Sequence, residues 1–96
     1  MPRARAVDAA KYRNNPKLIA KFIAEALATG DAVAIAKAIG AMARVHGMSN
    51  MARKTGVRRD TLYRSFSGLS SPRLKAVMSV LLALDVELVA RPRAAD

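Results

Sequence analysis

Cysteine is missing from this chain altogether, and so is tryptophan. The first absence excludes disulfides, thiolate metal sites and cysteine nucleophiles. Histidine occurs once, as His46, and the seven acidic residues are not paired at a spacing that suits acid–base work. No catalytic centre, metal site or cofactor is therefore expected. Aromatic residues are scarce at 4 %, while the apolar 52 % is mostly Ala, Leu and Val. That balance favours closely packed helices over a β-sandwich. Long apolar runs are lacking too. The longest, Ala76 to Leu84, is broken by Ser79 and is far too short to span a bilayer. The basic start is not followed by an uninterrupted apolar core, so no secretory signal is read, and a cytoplasmic, nucleoid-associated protein is expected.

Negative charge is also in short supply. Seventeen Lys and Arg stand against seven acids, for a formal net charge of +10. Such an excess calls for a polyanion, either nucleic acid or an anionic membrane surface. Its distribution is informative. Residues 49–68 hold Arg53, Lys54, Arg58, Arg59 and Arg64 against Asp60 alone, and residues 1–30 hold Arg3, Arg5, Lys11, Arg13, Lys17 and Lys21 against Asp8 and Glu25. At 96 residues the chain has room for one compact domain with one core.

Three regions follow from the patterning. Residues 1–14 read as a basic, weakly ordered arm. Residues 15–85 read as a helical domain, and residues 86–96 as a short strand, Val86 to Ala90, followed by a tail. Within the helical domain, Asn15-Pro16 supplies a cap and a first-turn proline. Leu18, Ile19, Phe22, Ile23, Ala26 and Leu27 then form one apolar stripe. Asp31 caps a second helix with Ile35, Ile39, Met42 and Val45 on one face, stopping at Gly47. Gly40 in its middle costs about 1 kcal/mol relative to Ala, which suits the close passage of a neighbouring helix. Ser49 is the expected cap of a third helix, Asn50 to Thr55. A fourth runs from Arg59 to Phe66. A fifth opens at Ser71-Pro72 with Leu74, Val77, Met78, Leu81 and Leu82 as its apolar positions. Asp85 stands where Gly or Asn more readily takes a left-handed stop.

The stretch 48–67 satisfies the steric requirements of a helix-turn-helix. Ala52 is small where two helix axes must cross closely. Gly56, four positions on, supplies the positive φ of the turn. Val57 plugs the gap between the helices, and Leu62 and Phe66 anchor the second one. Burying these leaves Arg58, Arg59, Asp60, Tyr63 and Arg64 facing outward as candidate base readers in a major groove. Arginine suits guanine O6 and N7 because its fork meets both acceptors, and Asp60 can accept from cytosine or favour the helix N-terminus. Ser49, Asn50, Arg53, Lys54 and Ser67 are candidate phosphate contacts that position without specifying. Arg58 lacks the side chain of a good cap, at a cost of about 1 kcal/mol.

The run Gly47 to Ser67, GMSNMARKTGVRRDTLYRSFS, closely resembles the HigA-like addiction-module antidote proteins, often found in prophage regions. The resemblance continues through Ser71-Pro72-Arg73-Leu74 and Val77 to Val86, and upstream through Asp8 to Tyr12, Asn15-Pro16 and Gly30-Asp31. Arg58 replaces the usual Ser, and Asp85 the usual Gly. The resemblance implies an all-α, Xre-like (lambda-repressor-like) domain of five helices with a central helix-turn-helix. It also implies a homodimer that represses its own operon at a palindromic operator and binds a RelE/ParE-type toxin. Alternatives remain beside it: a stand-alone prophage transcriptional regulator without a toxin partner, a module whose main task is masking a toxin, and a non-specific nucleoid protein. The basic arm is open to minor-groove entry, to phosphate neutralisation or to no ordered role. The Val86 to Ala90 strand is either an edge that pairs with a second copy or a fluctuating tail.

Overall fold

Local capping chemistry starts the two long helices where the sequence places them. Asn15 Oδ1 accepts from the Leu18 amide at 3.3 Å, and Asp31 Oδ1 accepts from the Val33 and Ala34 amides at 2.9 and 3.4 Å. These bonds satisfy amides that the first helical turn leaves without partners. In the computed structural model, which describes residues 8–94, the elements are α1 (Ala9–Tyr12), α2 (Pro16–Thr29), α3 (Ala32–His46), α4 (Met48–Thr55), α5 (Arg59–Ser65) and α6 (Leu74–Ala83). The described chain is all-helical, with six helices instead of the five expected.

The additional helix is α1. Residues 8–14 of the expected arm form a turn of helix capped by Asp8, whose Oδ1 accepts from the Lys11 amide. Tyr12 meets Phe22 of α2 edge-on, with ring centroids 5.6 Å apart. That contact and the half-burial of Ala9 and Tyr12 against the core give a segment without helical periodicity its fixed place. The rest of the expected arm, with Arg3 and Arg5, lies outside the described residues.

Helix α3 is central, touching each of the other five helices. Its buried residues include Ala36, Ala38, Ile39, Gly40, Met42, Ala43 and Val45. Small residues on this helix let neighbours approach closely. Nowhere is this plainer than at Gly40, where an added Cβ would lie 2.5 Å from the Phe66 carbonyl oxygen. Around α3 the core gathers Ile19 and Ile23 of α2, Met48 and Met51 of α4, Leu62 of α5, Phe66 and Val80, Leu81 and Leu84. No polar or charged residue is buried among the described residues.

The expected strand is not formed. Residues 86–94 carry no regular structure, and the described residues contain no strand with which Val86 to Ala90 could pair. The segment is instead aimed by the end of α6. The Val86 amide donates to the Leu81 carbonyl at 2.9 Å and the Asp85 amide to the Leu82 carbonyl at 3.0 Å, with Asp85 left-handed at φ 62°. This is the double-bonded helix stop that glycine usually supplies. It turns Val86 back onto the core, and the segment then runs beside α2 near Ala24, Leu27 and Ala28.

Helix α6 departs from expectation in a second way. Its helix begins at Leu74 with Arg73 as cap, not at Ser71-Pro72. Its buried residues are Val80 and Leu81, with Leu84 just beyond, whereas Leu74, Met78 and Leu82 are exposed. Apolar residues surround this helix on most sides, so periodicity alone does not select the face that packs.

Candidate nucleic-acid interface

The segment from Met48 to Ser67 folds as two short helices joined by Gly56, Val57 and Arg58. Helix α4 begins one residue after Gly47 and has no side-chain cap. Ser49 is thus inside the first turn and does not cap it. Met48 and Met51 are buried and Ala52 is half-buried against the core, which leaves Ser49, Asn50, Arg53 and Lys54 on the outer side.

Three features make the turn. Gly56 is left-handed at φ 76°, and its amide returns to the Ala52 carbonyl. Thr55 donates its hydroxyl to the Met51 carbonyl at 2.7 Å and accepts from the Val57 amide at 3.1 Å. Val57 packs half-buried on the core. Gly56 and Val57 were legible in the sequence, but Thr55 was not: its one signal is a hydroxyl just before the turn glycine.

Helix α5 follows with Arg58 at its cap position and no side-chain cap bond. Leu62 and, one turn later, Phe66 are fully buried. At 100° per residue, Arg59, Asp60, Tyr63 and Arg64 share an arc of about 140° on the opposite side, and all four are exposed. Their contacts are local. The Arg59 guanidinium lies 5.7 Å from the Tyr63 ring centroid, and Arg64 Nη2 donates to Thr61 Oγ1 at 3.4 Å. Arg58 Nε stands 3.7 Å from Asp60 Oδ1, both well exposed, a pairing too solvated to hold either side chain strongly. None of the five is sequestered.

On α4, Asn50 is committed to its own helix. Its Nδ2 donates to the His46 carbonyl at 3.3 Å, and its Oδ1 accepts from Arg53 Nη2. Lys54 Nζ lies 3.0 Å from His46 Nε2. Burial first, and Lys54 second, hold the His46 imidazole below its ordinary pKa, against an upward pull from Asp85. Neutral His46 then accepts from the Lys54 ammonium. Ser67 also turns to the chain: its hydroxyl donates to the Arg64 carbonyl at 3.0 Å and accepts from the Leu69 amide at 3.2 Å, closing the turn after α5.

The surface of α4, α5 and their turn thus carries five cations, Arg53, Lys54, Arg58, Arg59 and Arg64, against Asp60. No three His, Asp or Glu side chains gather among the described residues. No helix there is long and apolar enough to cross a membrane.

Residues 3–92 match the model of a family described as "probable addiction module antidote protein", and with nearly its whole length matched, the chain belongs to that family. An uncharacterised protein of Haemophilus influenzae is 32% identical over 80 residues, covering 83% of this chain and 82% of that protein. No solved structure matches the chain.

Proposed function

We propose that this chain is a sequence-specific DNA-binding antidote that represses its own operon and neutralises a toxin of the RelE/ParE type. In this reading α4 and α5 are a helix-turn-helix of the Xre-like, lambda-repressor-like kind, as in HigA-like antidotes. The observation that carries it is the two-sided character of α5. Leu62 and Phe66 lock one side into the core while Arg59, Asp60, Tyr63 and Arg64 stand together on the other.

The roles divide by chemistry. Arg59 and Arg64 read base edges, with guanine the preferred partner of each guanidinium. Tyr63, steadied by Arg59, touches a thymine methyl or a phosphate, and Asp60 accepts from cytosine. Arg58, at the mouth of the turn, serves the base readers or a phosphate. On α4, Arg53 and Lys54 neutralise phosphates, Asn50 orients Arg53, and Ser49 presents a hydroxyl to the backbone. Ser67 builds the following turn. The protein acts as a homodimer on a palindromic operator in the cytoplasm, with half-sites about 34 Å apart, and it performs no catalysis.

Selection from a random pool of duplex DNA tests this reading. It predicts an enriched palindrome with that spacing; a bound pool without any enriched sequence overturns it. Co-expression with the adjacent small reading frame tests the toxin arm. Suppressed toxicity and a stable complex support an antidote, whereas an operator without any toxic neighbour indicates a stand-alone prophage regulator.

A further inference from the structure

Helix α6 leaves a row of large apolar side chains without cover. Leu74, Met78 and Leu82 are exposed by 71%, 45% and 77%, although the same helix buries Val80 and Leu81 completely on its other side. A spacing of four residues lines the three up along one side of the helix. Among the described residues α6 packs only against α3 and α4, and neither covers this row. Adjacent apolar side chains left in water mark an interaction surface more often than a solvated face.

The charges at the two ends of α6 identify the occupant. Arg73 and Lys75 lie at its start, Asp85 and Glu87 just beyond its end, and no charged residue falls between Lys75 and Asp85. The row is therefore symmetric about Met78, and the charge along it is antisymmetric. We infer that this face docks a second copy of the same chain, α6 against α6 and antiparallel, with the two-fold axis at Met78. In that register Leu74 meets Leu82 of the second copy, and each Met78 meets its counterpart. The basic start of each helix lies beside the acidic end of the other, and the helix dipoles oppose favourably. A parallel pairing would set like charges together on two chains that already carry +10 each. Each copy presents the same patch, as a closed two-fold interface requires. The pairing goes beyond the DNA-binding reading and supplies the seat of its two-fold. It takes the place of the strand pairing that the sequence suggested.

Because the natural chain contains no cysteine, single introduced thiols report the register directly. Met78→Cys is expected to oxidise to a linked dimer. Leu74→Cys and Leu82→Cys are each expected to remain unlinked alone, since in this register like positions stand about 12 Å apart along the axis, at 1.5 Å per residue. Mixed together, these two are expected to link. Val33→Cys, on an exposed site of α3, measures chance collision. Self-linking of Leu74→Cys as fast as Met78→Cys, or of Val33→Cys as fast as either, overturns the antiparallel seat. Sedimentation of the unaltered protein gives a second readout. A mass that rises with concentration towards a dimer, and falls back in Leu82→Ser, supports the pairing, and a monomer at every concentration overturns it. Both measurements are made without DNA, so their failure leaves the reading of α5 standing.

Discussion

Gly40 lies directly against Phe66, and the absence of a side chain on one allows the burial of the other. A methyl group at Gly40 would sit 2.5 Å from the Phe66 carbonyl oxygen and 3.0 Å from its Cβ. Backbone cannot swing aside as the end of a flexible side chain can. Gly40→Ala should therefore destabilise the fold by about 1–3 kcal/mol, even though Ala is favoured in a helix by about 1 kcal/mol. Urea unfolding measures it. A variant as stable as the parent would show that α3 and the end of α5 are not in contact.

Thr55 ties the end of α4 to the start of the turn through two hydrogen bonds on one hydroxyl. Thr55→Val keeps the shape and removes both. A loss of about 1 kcal/mol is expected, or roughly 4–8 °C in melting temperature for a domain of this size. Thr55→Ser, which keeps the hydroxyl, should recover most of it.

Proton uptake by His46 links stability to pH. Burial and Lys54 lower its pKa from the ordinary 6.5, so as the pH falls through that value the unfolded chain takes up the proton first. The contribution of neutral His46 is complete above that point and is lost progressively below it, until folded His46 is protonated as well. Melting temperature should therefore drop between about pH 7.5 and pH 5.5. His46→Gln should flatten that drop, and an equal drop in both proteins would refute the linkage.

Arg64 and the α4 cations should give different signatures on DNA. Arg64→Ala should cost about 1–3 kcal/mol and relax preference at one base pair. Arg53→Gln and Lys54→Gln should weaken all sequences alike. Each should also lower the slope of log affinity against log salt by about 1. Titration of selected and scrambled duplexes at several salt concentrations separates the two. An Arg64→Ala protein with unchanged sequence preference would remove that residue from the readers.

How far the sequence reached follows from how local each cause is. Asn15, Asp31 and Gly56 act on residues two to four positions away, so the start of α2, the start of α3 and the turn at Gly56 were all legible. The outward face of α5 was legible because charged and apolar side chains separate cleanly around it. Four residues of α1 carry no period, and their position depends on Tyr12 meeting Phe22 across a loop. Val86 to Ala90 has the composition of a strand, but composition says nothing of whether a neighbouring strand exists. On α6, Leu74, Val77, Met78, Leu81 and Leu82 formed a plausible inner face, and Val80, Leu81 and Leu84 formed another. Contact with α3 and α4 chose the second. Thr55 and the commitment of Asn50 to Arg53 are matters of side-chain reach that no pattern of residue types reveals.

The interior described above is wholly apolar among the described residues. Ions thus have almost nothing to screen inside the molecule, whereas every cation of the α4–α5 surface feels them. Raising the ionic strength should strip a polyanion from this protein while the scaffold beneath stays folded, gaining slightly as self-repulsion among its own cations fades. Salt becomes a selective probe, acting on the rind and sparing the kernel.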